Sequence, residues 1–173
     1  MLIKINQFKK HTANLITLLN LSLGIFAIFY VSNQRYFSAA ILIIIAGMTD
    51  RLDGYTARKF HIVSDLGKHL DSLSDMVSFG LAPALLLYFS TLQKYKIIGL
   101  IITFIYILCG AYRLGRYNVT NFKGYYTGLP ITISGILLAI IYLLHAIIPS
   151  LIIMVTVPVI SYLMISRISL KKR

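Results

Sequence analysis

The feature that most constrains this chain is the length of its apolar runs, such as Ala39 to Met48 and Ile97 to Gly110. A bilayer hydrocarbon core of about 30 Å asks for about 20 mostly apolar residues per helix. Six segments meet that demand: 13–32, 36–57, 67–90, 96–115, 126–146 and 148–166. Backbone groups in lipid must pair within their own segment, and no stretch alternates with period two as a barrel strand would. The segments are therefore predicted as helices. Composition agrees: 58% of residues are hydrophobic and 13% charged, with a mean hydropathy of +0.80. A soluble domain carries about 25% charged residues. The expected fold class is all-α integral membrane, with six transmembrane helices in a single domain over 1–173. The opening MLIKINQFKKHTAN is basic and polar, so no cleavable targeting peptide is expected, and residues 1–12 read as an N-terminal segment outside the first span.

Orientation follows from the cations. With both termini cytoplasmic, that side carries Lys4, Lys9, Lys10, Arg51, Arg58, Lys59, Lys68, Arg113, Arg116, Lys123, Arg167, Lys171, Lys172 and Arg173. The other side keeps only Arg35, Lys94 and Lys96. That asymmetry satisfies the positive-inside rule, and an even number of spans puts both ends on one side as well. The net charge of +12 is spread between apolar segments, which suits anionic lipid head groups; no nucleic-acid partner is expected. Cys109 is the only cysteine. Lying in an apolar run, it reads as a small buried hydrophobe.

The acidic residues all fall in one place. There is no glutamate, and the five aspartates lie between 50 and 75. An aspartate within a membrane helix costs about 2.5–3.5 kcal/mol at its centre and less near the interface, so several kept together need compensation. Helical spacing puts Asp50, Asp53, Gly54, Ala57 and Arg58 on one stripe. A second stripe holds Gly67, Asp71, Ser74, Asp75 and Ser78. Small residues let such helices approach closely, which would bring four carboxylates to one point. Like charges cannot all stay ionised there alone, and a hard divalent cation is the natural companion of clustered carboxylates and phosphates. Pairing with nearby Arg51, Arg58, Lys59 and Lys68 would account for any one aspartate, but not for four on two matching stripes. Asp65 falls off both stripes; Ser64 or Asp65 suits a helix N-cap.

The stretch Asp50-Arg-Leu-Asp-Gly-Tyr-Thr-Ala-Arg58, eight residues, then Gly67-Lys-His-Leu-Asp71-Ser-Leu-Ser-Asp75 resembles the signature of the CDP-alcohol phosphotransferases, matched at every fixed position. Asn14 to Leu21, Asp71 to Gly80, Cys109-Gly-Ala-Tyr-Arg-Leu-Gly-Arg-Tyr-Asn118 and Gly128-Leu-Pro-Ile131 are similar to the phosphatidylserine synthase branch. The resemblance implies a six-helix fold, a homodimer, and an active site at the cytoplasmic face of the cell membrane. It implies a CDP-linked lipid donor, serine as acceptor, CMP as leaving group, and Mg²⁺ or Mn²⁺, two ions in all. By motif position, Asp50, Asp53, Asp71 and Asp75 would bind metal, Asp75 would also be the catalytic base, and Gly54, Ala57 and Arg58 would hold the CDP moiety.

The chemistry gives these roles a reason. A hydroxyl attacking a diphosphate is repelled by phosphate charge and is a poor nucleophile while protonated. Divalent cations answer the first problem and a carboxylate base the second. Arg58 suits bidentate contact with phosphate oxygens. Asn14 and Thr17 are further candidates to face the nucleotide, with polar packing of helix one as the competing role. A serine-specific site also needs a cation for the serine carboxylate, and Arg113, Arg116 and Lys123 are the candidates; each also obeys the positive-inside rule. The dispersed histidines show no zinc spacing. Gly24, Gly47, Gly80, Gly99, Gly110 and Gly135 are expected at helix contacts, and Pro83 and Pro130 are expected to bend their helices. Competing functions are an archaetidylserine-, phosphatidylglycerophosphate- or phosphatidylinositol-type acceptor chemistry, a membrane prenyltransferase, and a divalent-cation carrier. A single aspartate cluster argues against the prenyltransferase. The fixed spacing of Gly54, Ala57 and Arg58 goes unexplained by a carrier.

Overall fold

The computed structural model describes the backbone of residues 2–59, 65–119, 125–166 and 169–171, and side-chain surroundings over 14–51, 66–119 and 128–166. The architecture is nearly all helical. Helix α1 (Leu2–Ser32) and helix α2 (Tyr36–Lys59) form the first hairpin. A third rod follows: α3 (Asp65–Asp75), a π-helical stretch Met76–Leu81, α4 (Ala82–Leu87), and a second π-helical stretch Tyr88–Leu92. A 3₁₀ turn at Gln93–Tyr95 leads into α5 (Lys96–Val119). Two shorter helices complete the bundle, α6 (Ile131–Leu143) and α7 (Ser150–Ile165). Strands β1 (Tyr125–Thr127) and β2 (Ser169–Lys171) pair antiparallel, with Tyr126 opposite Leu170.

Asn14–Ser32 and the Leu66–Val119 stretch are long and apolar enough to cross a membrane, and α6 and α7 are shorter apolar helices. Large apolar side chains face outward along them, among them Phe26, Ile98, Phe104 and Val155, each more than half exposed. Continuous apolar surface of this kind needs lipid or a partner to cover it.

Local chemistry explains how the rods end and turn. Gln34 (φ 60) stops α1 in a left-handed cap, with Arg35 N–H bonded to the Tyr30 carbonyl at 2.9 Å and Gln34 N–H to that of Val31 at 3.0 Å. This is the two-bond closure that usually selects glycine. Lys96 (φ 51) separates the 3₁₀ turn from α5, which runs back antiparallel along the third rod. Pro83 cannot donate to the carbonyl of Phe79 four residues earlier. The buried Tyr106 hydroxyl of α5 donates to that carbonyl instead, at 2.9 Å.

Close approach is paid for by missing side chains. A Cβ on Gly24 would meet Ser78, and one on Gly135 would lie 2.7 Å from the Phe79 Cα. The other four glycines expected at contacts also face neighbours tighter than ordinary packing. Ala27, Ala39, Ala40 and Ala46 are fully buried and let α1 and α2, the most extensively packed pair, lie close. Three buried hydroxyls are satisfied locally: Thr103 donates to Gly99 O, Ser134 to Pro130 O, and Ser161 to Val157 O.

Three expectations are adjusted. The fifth span, expected over 126–146, becomes helical only at Ile131. Gly128 takes φ 78, Pro130 disfavours helical geometry at Leu129, and 125–127 enter the ladder with 169–171. Pro130 therefore caps α6 rather than bending it. Pro83 sits in the first turn of α4, between two π-widened stretches, so the rod adapts by widening around it. At the other end of the chain α1 extends back to Leu2, while the stretch apolar enough to cross a membrane begins at Asn14. Ser64 and the Asp65 side chain, expected as an N-cap, lie outside the described residues.

Candidate active site

The third rod is held to α1 by its small polar residues. Ser74 Oγ donates to the Thr17 carbonyl at 3.1 Å and Ser78 Oγ to the Asn20 carbonyl at 3.0 Å. The serines of the predicted stripe thus turn toward α1, while Asp71 and Asp75 turn toward α2. Asp50, Asp71 and Asp75 meet there, with one carboxylate oxygen from each lying within 4.8 Å of the others. Thr132, in the first turn of α6, donates its hydroxyl to Asp50 Oδ2 at 3.2 Å. Three helices, α2, α3 and α6, therefore converge on one point.

Asp75 is the deepest of the three aspartates, 8% exposed. Its Oδ1 is buried and has no hydrogen-bond partner among the described residues. Arg113 of α5 is also 8% exposed, and its charge acts on Asp75 together with those of Asp50 and Asp71. Among the described residues one guanidinium set against three carboxylates leaves an excess of negative charge, which burial makes costly. A hard cation fits this donor set: all-oxygen ligands, mutual spacing short enough to share one ion, and a buried oxygen awaiting a partner.

The other predicted residues divide into three groups. Thr17 is buried on α1 and touches α3 through the Ser74 bond, one residue before Asp75; Asn14 lies on α1, half-buried. Arg116 is held elsewhere: its Nη1 donates to the Ile165 carbonyl at 3.0 Å and its Nη2 to that of Ser166 at 3.5 Å, capping the end of α7. Asp53, Gly54, Ala57 and Arg58 continue α2, but their side chains lie outside the described residues, as does Lys123 altogether. His145 is structural: its Nδ1 meets the Tyr142 carbonyl at 2.6 Å and its ring stacks on Tyr142.

Sequence reading missed Thr132, whose signal was adjacency to Gly128-Leu-Pro-Ile131. It also missed a polar group made by Lys68, Ser72 and Asn118. Lys68 Nζ donates to the Asn118 carbonyl at 2.9 Å, and Asn118 Nδ2 to Ser72 Oγ at 2.9 Å. Lys68 and Ser72 lie on the same turns as Asp71 and Asp75, and Asn118 closes the motif that carries Arg113.

Residues 10–163 match the family model described as CDP-alcohol phosphatidyltransferase. A protein of Methanocaldococcus jannaschii named CDP-diacylglycerol–serine O-phosphatidyltransferase is 47% identical over 123 residues, covering 71% of this chain and 56% of that protein. An archaetidylserine synthase of Methanothermobacter thermautotrophicus is 38% identical over 133 residues, 75% of this chain and 57% of its own length. A Bacillus subtilis protein named CDP-diacylglycerol–serine O-phosphatidyltransferase is 36% identical over 155 residues, 89% of this chain and 86% of its own. The chain thus spans little more than half of the two archaeal relatives and most of the Bacillus one.

Proposed function

The chain belongs to the CDP-alcohol phosphatidyltransferase family, and from that premise we propose that it moves a phosphatidyl group from CDP-diacylglycerol to the hydroxyl of L-serine. The products are phosphatidylserine and CMP. The observation that carries this reading is the convergence of Asp50, Asp71 and Asp75 within 4.8 Å, beside the buried Arg113. Relatives named for serine transfer at 36–47% identity support the choice of acceptor.

Each residue then has a task. Asp50 and Asp71, with Asp53 of the Asp50 stripe, would hold the divalent cation, and Thr132 orients Asp50 through its hydroxyl. Two Mg²⁺ or Mn²⁺ ions would neutralise the diphosphate and the charge developing on CMP. Asp75 contributes to that cluster and takes the serine hydroxyl proton at its buried Oδ1. Gly54, Ala57 and Arg58 receive the CDP moiety, with Thr17 and Asn14 of α1 alongside. Arg113 is the cation for the serine carboxylate, and Lys123 remains a second candidate. Arg116, held on the carbonyls of Ile165 and Ser166, serves packing in this proposal.

The protein is proposed to act as an integral membrane homodimer, a single domain over 1–173, with six spans and both termini cytoplasmic. The placement of the sparse cations supports the orientation. Arg35 and Lys94 fall at the end of the bundle where Tyr36 contacts Phe89 and Tyr95 contacts Ser150, opposite the aspartates.

The deciding experiment incubates purified protein with CDP-diacylglycerol or its archaeol counterpart, Mg²⁺ or Mn²⁺, and serine, glycerol 3-phosphate or inositol in turn, reading CMP release. Release that depends on serine and on the divalent ion is the expected result. Release with glycerol 3-phosphate or inositol but not serine overturns the acceptor, and preference for the archaeol donor reassigns the lipid.

A further inference from the structure

The polar group joining the first turns of α3 to the last turn of α5 has one unmet need. Ser72 Oγ donates its single hydrogen to the Lys68 carbonyl at 3.1 Å. The Asn118 atom 2.9 Å from that oxygen must therefore be the donating amide nitrogen, since the hydroxyl has nothing left to give. This fixes the amide's orientation on chemical grounds. Asn118 Oδ1 is turned away from Ser72, and it is buried with no hydrogen-bond partner among the described residues. Lys68 holds the residue's main chain in place from the other side, through the Asn118 carbonyl.

Position makes this acceptor relevant to the reaction. Residues 68, 71, 72 and 75 are spaced by three and four and share one face of α3. The group anchoring Asn118 therefore lies on the face that presents Asp71 and Asp75. Resting on the serine-transfer reading above, we propose that Asn118 Oδ1 recognises the ammonium group of the acceptor amino acid. A zwitterionic acceptor presents a hydroxyl, a carboxylate and an ammonium, and the first two are already matched by a base and a cation. The ammonium needs an oxygen acceptor, and Asn118 Oδ1 is one left without a partner among the described residues. Its bond to an ammonium is charge-assisted, so the residue discriminates between acceptors that carry the amine and those that lack it. Lys68 and Arg113, on the same two helices, suit the carboxylate of the same molecule.

The test compares L-serine with 3-hydroxypropionate, which is serine without its amine, in the wild type, Asn118→Leu and Asn118→Asp. Asn118→Leu should raise the serine KM at least about tenfold. Its KM for CDP-lipid and its constants for 3-hydroxypropionate should stay within about twofold. Asn118→Asp keeps an acceptor oxygen, so its serine KM should stay at or below the wild-type value. A merely structural asparagine would shift all acceptors together and would not be rescued by aspartate. The proposal is overturned if Asn118→Leu keeps its serine KM within twofold, or if both acceptors suffer equally. Should Asn118→Leu fail to fold, a tenfold rise of the serine KM in Asn118→Asp overturns it alone. Absence of serine-dependent CMP release from the wild type overturns the underlying reading, and this one with it.

Discussion

At the scale of single residues the site is an arrangement of opposed charges, and substitutions should separate their roles. Asp75→Asn keeps shape and one acceptor oxygen but cannot take up a hydroxyl proton. It should abolish CMP release while CDP-lipid still protects the protein from thermal unfolding. Near-normal turnover at saturating substrate would remove Asp75 as the base. The two arginines of α5 should part company. Arg113→Gln, next to the carboxylates, should raise the serine KM more than the CDP-lipid KM, the signature of lost ground-state binding. Arg116→Gln should leave the serine KM within twofold and instead lower the melting temperature, because two carbonyls at the end of α7 lose their donor. The aspartate pairing was legible in the sequence because spacing of three and four is a direct statement about a helix face. The contact of Thr132 with Asp50, 82 positions away, was not, since no local pattern specifies which helix end meets which.

Among elements, the third rod is the one whose shape the sequence conceals. Pro83 announces a disturbed helix, but whether the helix bends, breaks or widens depends on what satisfies the Phe79 carbonyl. The answer is Tyr106, 27 positions later on another helix. Tyr106→Phe should therefore destabilise the protein by about 1–3 kcal/mol, the cost of a buried unpaired carbonyl. Pro83→Ala in the same background should recover part of the loss by restoring a backbone donor. Equal losses in the presence and absence of Pro83, measured as shifts in thermal unfolding, would contradict this account. The placement of the apolar rods was readable because lipid leaves so few backbone solutions. The late start of α6 was not, because the extended pairing of Tyr125–Thr127 with Ser169–Lys171 is a long-range event written into neither segment alone.

For the whole molecule, the cation asymmetry makes a topological prediction. Cysteines introduced at Lys59 and Lys123 in a Cys109→Ala background should escape an impermeant thiol reagent in intact cells and react once cells are opened. Labelling of either in intact cells would invert the orientation. The lengths of the last two helices carry a different implication. Helix α6 has 13 residues and α7 has 16, about 20 and 24 Å at 1.5 Å per residue, against a hydrocarbon core of about 30 Å. On the six-span reading proposed above, a bilayer meeting so short a wall would thin beside it or leave polar ends submerged. The end of α6 that would then be submerged carries Thr132 against Asp50. The dimple this creates would lower a lipid diphosphate to the carboxylates without lifting its acyl chains out of the leaflet. Turnover in vesicles should then fall as acyl chains lengthen from 14 to about 22 carbons at fixed head group, because a thicker bilayer resists the deformation that brings the donor within reach.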